Sequence, residues 1–253
     1  MRTRAGLAVL VALATLPPTA LGQATEPSIG ERAFDQYDLG SLKGGEWVEY
    51  RTTSEMAMGS GEWKPMSDMS YRVACVLAEP ETIWFESSQY TLGNPAWKGT
   101  VVLAAVAKKS GLVTQAWWGK PGETGKEIKV AKMPEGKPST DTTGTGRATR
   151  ETVKAGGLEY ECEKIEIELT STFNGMESKS KMTSWNGEKV PFKGKDLSAV
   201  AKAGMERLAW DGKPTWKGWL VKSVLESKMD KTRSKSTTEL QGCGTDAKQT
   251  LKK

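Results

Sequence analysis

The sequence contains no histidine. Histidine is the commonest general base and the commonest metal ligand, so its absence excludes Ser-His and Cys-His dyads. Ser178 to Lys181 matches Ser-x-x-Lys, but the segment alternates like a solvated strand, whereas that motif opens a buried helix in serine acyl-transferases. The segment GKPGETGK lacks P-loop spacing and is typical of a turn. We therefore expect a non-enzymatic protein without catalytic residues, cofactor or metal.

Cysteine is also scarce, with only Cys75, Cys162 and Cys243 in the chain. Their wide spacing excludes a zinc knuckle. Cys75 and Cys162 lie on apolar strand faces and fit buried free thiols. Export also permits one disulfide, and both alternatives stay open. If a disulfide forms, we expect Cys243 to take part, because it would join the last strand to the sheet.

The chain has no strong excess of one charge, since 36 Lys and Arg are interspersed with 31 Asp and Glu. Nucleic-acid-binding proteins carry a basic stripe, so we expect no nucleic-acid partner. Beyond the first residues, no apolar run approaches the length that crosses a bilayer, and we expect no transmembrane segment.

The first 22 residues are typical of a secretory signal peptide. Arg2 and Arg4 precede an apolar run over 6–16, and Ala20-Leu21-Gly22 resembles a cleavage site. No cysteine follows the apolar run, which argues against a lipoprotein anchor. The sequence thus predicts export to the periplasm or the exterior. We expect a flexible leader over 23–44, one domain over 45–245 and a flexible tail over 246–253.

Alternating apolar and polar residues predict many short strands joined as hairpins. One segment is different: Leu197, Val200, Ala201, Met205 and Leu208 recur at helical spacing after Asp196, a good N-cap. The sequence therefore predicts a mainly-β fold, a curved antiparallel sheet forming a half-barrel or open barrel, with one helical insertion near residues 196–210.

The apolar positions shift within one predicted strand, GLEYECEKIEIEL. They are even-numbered at Tyr160 and Cys162 but odd-numbered at Ile165 and Ile167. A regular strand would expose one of these sets, so the shift predicts a β-bulge near Glu163-Lys164. The alternative is that such a bulge turns Glu163 or Lys164 into a site.

The glutamates of that strand are expected to form cross-strand pairs with Lys179 and Lys181 on a solvated face. A calcium site is the weaker alternative, because calcium sites are usually loops that wrap the ion. The glutamates concerned are Glu159, Glu161, Glu163, Glu166 and Glu168.

Ten tryptophans are many for this length, and most fit a packed core. Trp117 and Trp118 are adjacent, so on a strand they must point to opposite faces. Trp216 and Trp219 lie beside the expected insertion. We hypothesise a helical lid over a concave, tryptophan-lined groove. Its candidate ligand-binding residues are Trp117, Trp118, Trp216, Trp219 and Tyr160.

Three phrases resemble uncharacterised exported bacterial β-rich proteins: GEWVEYR, ETVKAGGLEYECEKIEIE, and VPFKG followed by WLVKS. The likeness covers most of residues 45–240. Such proteins are similar in architecture to the LolA and LolB half-barrels, which carry lipoproteins across the periplasm. The resemblance implies an apolar groove for acyl chains, and it assigns no ligand-contacting residue.

These observations favour an exported protein that binds an apolar or amphiphilic, lipid-like envelope ligand. One alternative is a structural or protein-interaction module with an envelope protein as partner. A second is a carbohydrate-binding module, because exposed aromatic rings stack on sugars.

Overall fold

The computed structural model describes residues 28–91, 99–132, 142–173, 176–194, 208–212 and 214–253. The predicted signal peptide lies outside these residues. Strands dominate the described chain, and no helix occurs in it; accordingly, the described part contains no apolar helix of membrane-spanning length. The strands are β1 (Ser28–Gly30), β2 (Trp47–Met58), β3 (Lys64–Ala78), β4 (Thr82–Thr91), β5 (Val101–Ala107), β6 (Val113–Gly119), β7 (Lys126–Glu127), β8 (Lys129–Ala131), β9 (Thr142–Ala155), β10 (Leu158–Phe173), β11 (Met176–Gly187), β12 (Ala209–Asp211), β13 (Trp219–Met229) and β14 (Thr232–Gly244).

Twelve strands form one large curved sheet that does not close into a barrel, as the sequence predicts. Their order is β12-β9-β10-β11-β13-β14-β2-β3-β4-β5-β6-β7, so two series of hairpins meet where β14 pairs with β2. Most neighbours are antiparallel, but β12 pairs parallel with β9. Strands β1 and β8 form a separate parallel pair.

The large sheet separates into two layers at one end, which we call the base. Pairing between β13 and β14 stops at Lys222 and Glu239. Beyond that point, Trp219 and Leu220 pair only with β11, while Leu240–Gly244 pairs only with β2. Register shifts interrupt β13 and β14 at this point, and such bulges sharpen the bend of a strand. We call the opposite end, which carries loop 59–63 and turn 230–231, the far end.

The main core fills the space between the two layers of the base. Phe34 stacks on Phe85 with ring centroids 4.4 Å apart, and Tyr37 packs against Phe192 and Trp219 at 5.0 and 5.1 Å. The structure thus differs from the expected flexible leader, because part of residues 28–44 supplies core side chains. Burying these aromatic rings offsets the entropy of ordering the segment.

Strand β10 contains no bulge, so that prediction is wrong. It pairs without a register shift with both β9 and β11. Tyr160 and Cys162 therefore lie on one face, and Ile165 and Ile167 lie on the other. The first pair packs in the main core, whereas the second packs against Leu208 and its neighbours in a smaller cluster. Both apolar sets are buried because different segments cover the two faces.

The predicted helical insertion falls mostly on residues 195–207, which lie outside the described residues. The described end of it, 208–210, is not helical, because Ala209–Asp211 forms β12. Trp210 lies over Gly146 of β9, where an added Cβ would come within 2.5 Å of the ring. Pairing at the edge of the sheet and this close contact favour a strand here, although the periodicity of the sequence predicts a helix.

Residues 246–253 also differ from the expected flexible tail. The Glu86 carboxylate accepts hydrogen bonds from the Thr250 and Leu251 amides at 2.8 and 3.0 Å, and from the Thr250 hydroxyl at 2.8 Å. The Leu251 side chain is only 1% exposed and packs in a cluster with Trp84 and Leu103. The tail therefore covers the outer face of β4 and β5.

Candidate functional site

The five aromatic residues expected to form a groove do not line a common one. Trp117 packs against Trp84 on the tail side of the sheet, at 5.8 Å between centroids. Trp118 lies on the opposite face, as predicted, and its buried Nε1 has no acceptor in the described chain. Trp216 packs edge-on against Trp210, and Trp219 packs against Tyr37.

Tyr160, the fifth candidate, is 3% exposed in the main core. Its hydroxyl lies 3.4 Å from the Cys243 sulfur. Burial, followed by its contacts with Cys243, raises the pKa of Tyr160 above its usual range. A buried, protonated phenol with a thiol neighbour contributes to packing and cannot contact a ligand without opening the base.

The three cysteines are free thiols, so the alternative without a disulfide holds. Burial raises the pKa of Cys75 to about 12 and that of Cys162 to about 11. Protonated, buried thiols are poor nucleophiles and poor metal ligands. Within the described ranges, no group of three or more Cys, Asp or Glu side chains is placed to hold a metal ion.

An open depression lies toward the far end of the sheet, on the face opposite to the one that carries Ile167. It consists of two adjoining parts of about 570 and 490 Å³ that share Thr145, Glu168 and Lys181. We call it the charged groove. Its charged lining residues are Arg147, Glu166, Glu168, Lys179, Lys181, Asp211, Glu226, Lys228 and Arg233.

One row of side chains across the charged groove alternates in sign. Glu168, Lys181, Glu226 and Lys235 occupy neighbouring positions on β10, β11, β13 and β14. Lys181 lies 2.9 Å from Glu168, and Lys235 lies 3.3 Å from Glu226. The hydrogen bond to Glu168 raises the pKa of Lys181. The predicted pair of Lys181 with a β10 glutamate is confirmed, whereas Lys179 pairs with Glu177 at 3.2 Å.

The next row toward the far end carries three cations on adjacent strands. Lys179 pairs in register with Lys228, and Lys228 pairs with Arg233. The Arg233 guanidinium lies 5.1 Å from the Trp63 ring centroid and donates to the Gly61 carbonyl at 3.0 Å. The groove therefore has a neutralised middle and a basic end beside an aromatic ring.

Exposed apolar side chains lie at the far end of the sheet, and of these Trp63 also lines the charged groove. Met58, Met66 and Met229 are 62, 59 and 44% exposed, and Trp63 is 40% exposed. Met58 and Met229 flank Thr232 in register, so alternation along β2 and β13 turns them to the face opposite to Lys228 and Arg233. The Gly59 amide donates to the Lys231 carbonyl at 2.6 Å. We call these four side chains the apolar rim. The sequence did not predict the apolar rim, because its only indication there is the presence of methionines near two hairpin turns.

Glu163 plays a different role from the solvated pairing expected of it. Its carboxylate accepts hydrogen bonds from the Thr215 and Trp216 amides at 2.6 and 2.9 Å. Trp216 has a φ of 56°, an unusual conformation for a non-glycine residue. Glu163 thus holds the segment whose Trp216 helps to cover Ile165 and Ile167.

The comparisons with known proteins give fold likeness only. No family model matches the chain, and no curated protein matches it. Similar solved structures include an exported protein with a YmcC-like fold from Bacteroides fragilis (12% identity, 80% of this chain and 96% of that chain, TM-score 0.30). A DUF1329 family protein from Desulfovibrio piger has 8% identity, 83 and 89% coverage and a TM-score of 0.28.

A LolA superfamily protein from Nitrosomonas europaea is also similar, with 9% identity, 81% of this chain and 89% of that chain covered, and a TM-score of 0.21. The neighbours thus include exported and LolA-like bacterial proteins, in agreement with the resemblance in the sequence. At these TM-scores the likenesses do not assign a ligand, and the site has to be argued from its own residues.

Proposed function

We propose that this chain is an exported, non-enzymatic binding protein for an amphiphilic envelope ligand. The observation that carries the proposal is the charged groove, lined by Trp63, together with the exposed methionines of the apolar rim around the same end of the sheet. An amphiphile needs both kinds of surface in one place. The groove offers ion pairs and hydroxyls to a polar headgroup, and the rim offers an acyl chain the Trp63 ring inside the groove and methionine side chains around the end of the sheet.

The base of the sheet is not the site in this proposal. Its core is filled by stacked aromatic rings from the leader segment and from β4. Space for a ligand lies instead on the far half, where the charged groove is open. Methionine suits the rim, because its flexible, polarizable side chain adapts to ligands of different shape. Exposed apolar side chains gathered in one region often mark such binding surfaces.

The first test is to identify what the protein carries. Protein purified from the periplasm is extracted with organic solvent, and the extract is analysed by mass spectrometry. We expect co-purified lipid in stoichiometric amount. The delipidated protein should then bind a dansyl-labelled fatty acid. If neither lipid nor probe binds, the structural or interaction module becomes the better interpretation.

Paired variants locate the site. Replacing two rim residues, Met58→Ser with Met229→Ser, should weaken probe binding by about tenfold, because apolar contact area is lost. The control replaces two exposed leucines outside the rim, Leu77→Ser with Leu158→Ser, and should leave affinity unchanged. Equal losses in both pairs would contradict the rim as the contact for the acyl chain.

A further inference from the structure

We infer that the basic end of the charged groove is a subsite for a phosphate monoester, formed by Lys179, Lys228 and Arg233 beside Trp63. The inference rests on the proposed function and specifies the headgroup that the groove accepts. It begins with the positions of the three cations. They occupy directly opposed positions on β11, β13 and β14 and point to the same face.

Such a row is unfavourable by itself, because like charges at opposed positions of neighbouring strands repel. The adjacent row shows the usual solution, since Lys181 and Lys235 each have a glutamate partner at 2.9 and 3.3 Å. In the cation row, Lys179 pairs with Glu177 on its own strand. Within the described chain, no carboxylate lies within ion-pair distance of Lys228 or Arg233.

The surroundings of Arg233 also favour an anion. Its guanidinium packs near Trp63 and donates to the Gly61 carbonyl, which fixes its orientation. The Nε is buried and has no acceptor among the described residues, so a ligand in the groove would meet the terminal nitrogens of the guanidinium instead. Arginine held in this way is well suited to phosphate, which it can bind through more than one hydrogen bond.

Charge and spacing favour phosphate over a single carboxylate. Neighbouring strands are about 4.8 Å apart, so the row spans about 10 Å. A phosphate monoester brings a charge of about −1.5 to −2 and three acceptor oxygens, which matches the two cations without a carboxylate partner, Lys228 and Arg233, whereas a carboxylate neutralises only one of them. Thr170, the in-register neighbour of Lys179, adds a hydroxyl at the end of the row.

The test compares three probes by calorimetry: dihexanoyl-phosphatidic acid, dihexanoyl-phosphatidylcholine and glycerol phosphate. We expect the wild-type protein to bind phosphatidic acid more tightly than phosphatidylcholine. Lys228→Gln should weaken phosphatidic acid binding by about tenfold and leave phosphatidylcholine binding unchanged, because one charge-assisted hydrogen bond is lost. The matched control is Lys222→Gln, which lies on the same strand and face but pairs with Glu239 at 3.5 Å.

The outcomes separate this inference from the proposed function. Equal binding of both lipids, or equal losses in Lys222→Gln and Lys228→Gln, would overturn the phosphate subsite while the amphiphile proposal stands. Binding of glycerol phosphate that depends on Lys228, without any lipid binding, would support the subsite and identify a soluble phosphate compound as its ligand. In that case the amphiphile proposal fails.

Discussion

The base and the far end of the sheet use the same strands in opposite ways. At the base, Tyr160 and Cys162 of β10 face an aromatic core between two layers. At the far end, the same face carries Glu166 and Glu168 toward solvent, and Ile165 and Ile167 on the other face are covered by a short segment. The comparison teaches that the buried face of a strand is decided by the segment that covers it, position by position.

Removing a ring from the base should have the largest effect on stability. Phe85→Ala takes away the ring that stacks on Phe34 and packs against Tyr37. We expect a loss of about 3–5 kcal/mol in the free energy of unfolding, because a large cavity is left in a filled core. Urea denaturation measures it. A loss below about 1 kcal/mol would mean that the base collapses around the cavity.

Shortening a side chain in the smaller cluster should reduce the free energy of unfolding less than Phe85→Ala does. Ile167→Ala is expected to lower the free energy of unfolding by about 2–3 kcal/mol, because fewer atoms are removed than in Phe85→Ala. Its neighbour Glu168 provides the control, since it points to the opposite, solvated face. Glu168→Ala should cost less than about 1 kcal/mol. Equal costs would contradict the exchange of faces along β10.

Alkaline pH should destabilise the base in particular. Cys162 has a pKa of about 11 in the folded protein, against a usual value of 9.0. A raised folded pKa contributes stability that is complete below about pH 9 and lost as the pH rises toward 11, because the unfolded chain releases its proton first. We expect Cys162 to contribute a fall of about 1 kcal/mol per pH unit to the free energy of unfolding in this range, to which Cys75 and the buried tyrosines add.

The matching control for the alkaline effect is Cys162→Ala. This variant should show a shallower fall between about pH 9 and 11, because one of the buried acids is missing. Cys75, with a pKa of about 12, still contributes in the same direction. An unchanged slope in the variant would show that Cys162 is not responsible.

The smallest effect is expected in the charged groove. Lys181→Gln removes the ion pair with Glu168, in which both side chains are about half exposed. Exposed pairs contribute little, so the free energy of unfolding should change by less than about 0.5 kcal/mol. The change should shrink further in high salt, because exposed charges are screened. A loss as large as that in Ile167→Ala would contradict the solvated character of this face.

Local patterns predicted the strands and hairpins well. Short strands joined as hairpins were expected from the alternation, and the structure has such hairpins in β3–β4, β5–β6 and β13–β14. The opposite directions of Trp117 and Trp118 were also predictable, because they follow from the geometry of any strand.

The covering segments could not be predicted in this way. These segments pack against residues that are distant in the sequence. They contribute Phe34 and Tyr37, the tail residue Leu251 and the strand at Trp210. Without them, a bulge is the only local explanation of the shift in β10, and nothing in the sequence shows that Trp117, Trp216 and Trp219 pack against three different clusters. The cation row was equally hidden, since Lys179, Lys228 and Arg233 become neighbours only through strand pairing.

The pairing of β14 with β2 also has a consequence for folding kinetics. It brings together chain segments such as those of Trp47 and Asp246, whose side chains hydrogen-bond across 199 residues. Contacts between such distant segments are slow to form, because a long loop must close before they contribute. Until then, β2 and β14 each present an unpaired edge, the kind of surface on which chains aggregate. We therefore expect the step that joins the two hairpin series to limit the folding rate and to be the stage at which the newly synthesised chain is most prone to aggregate.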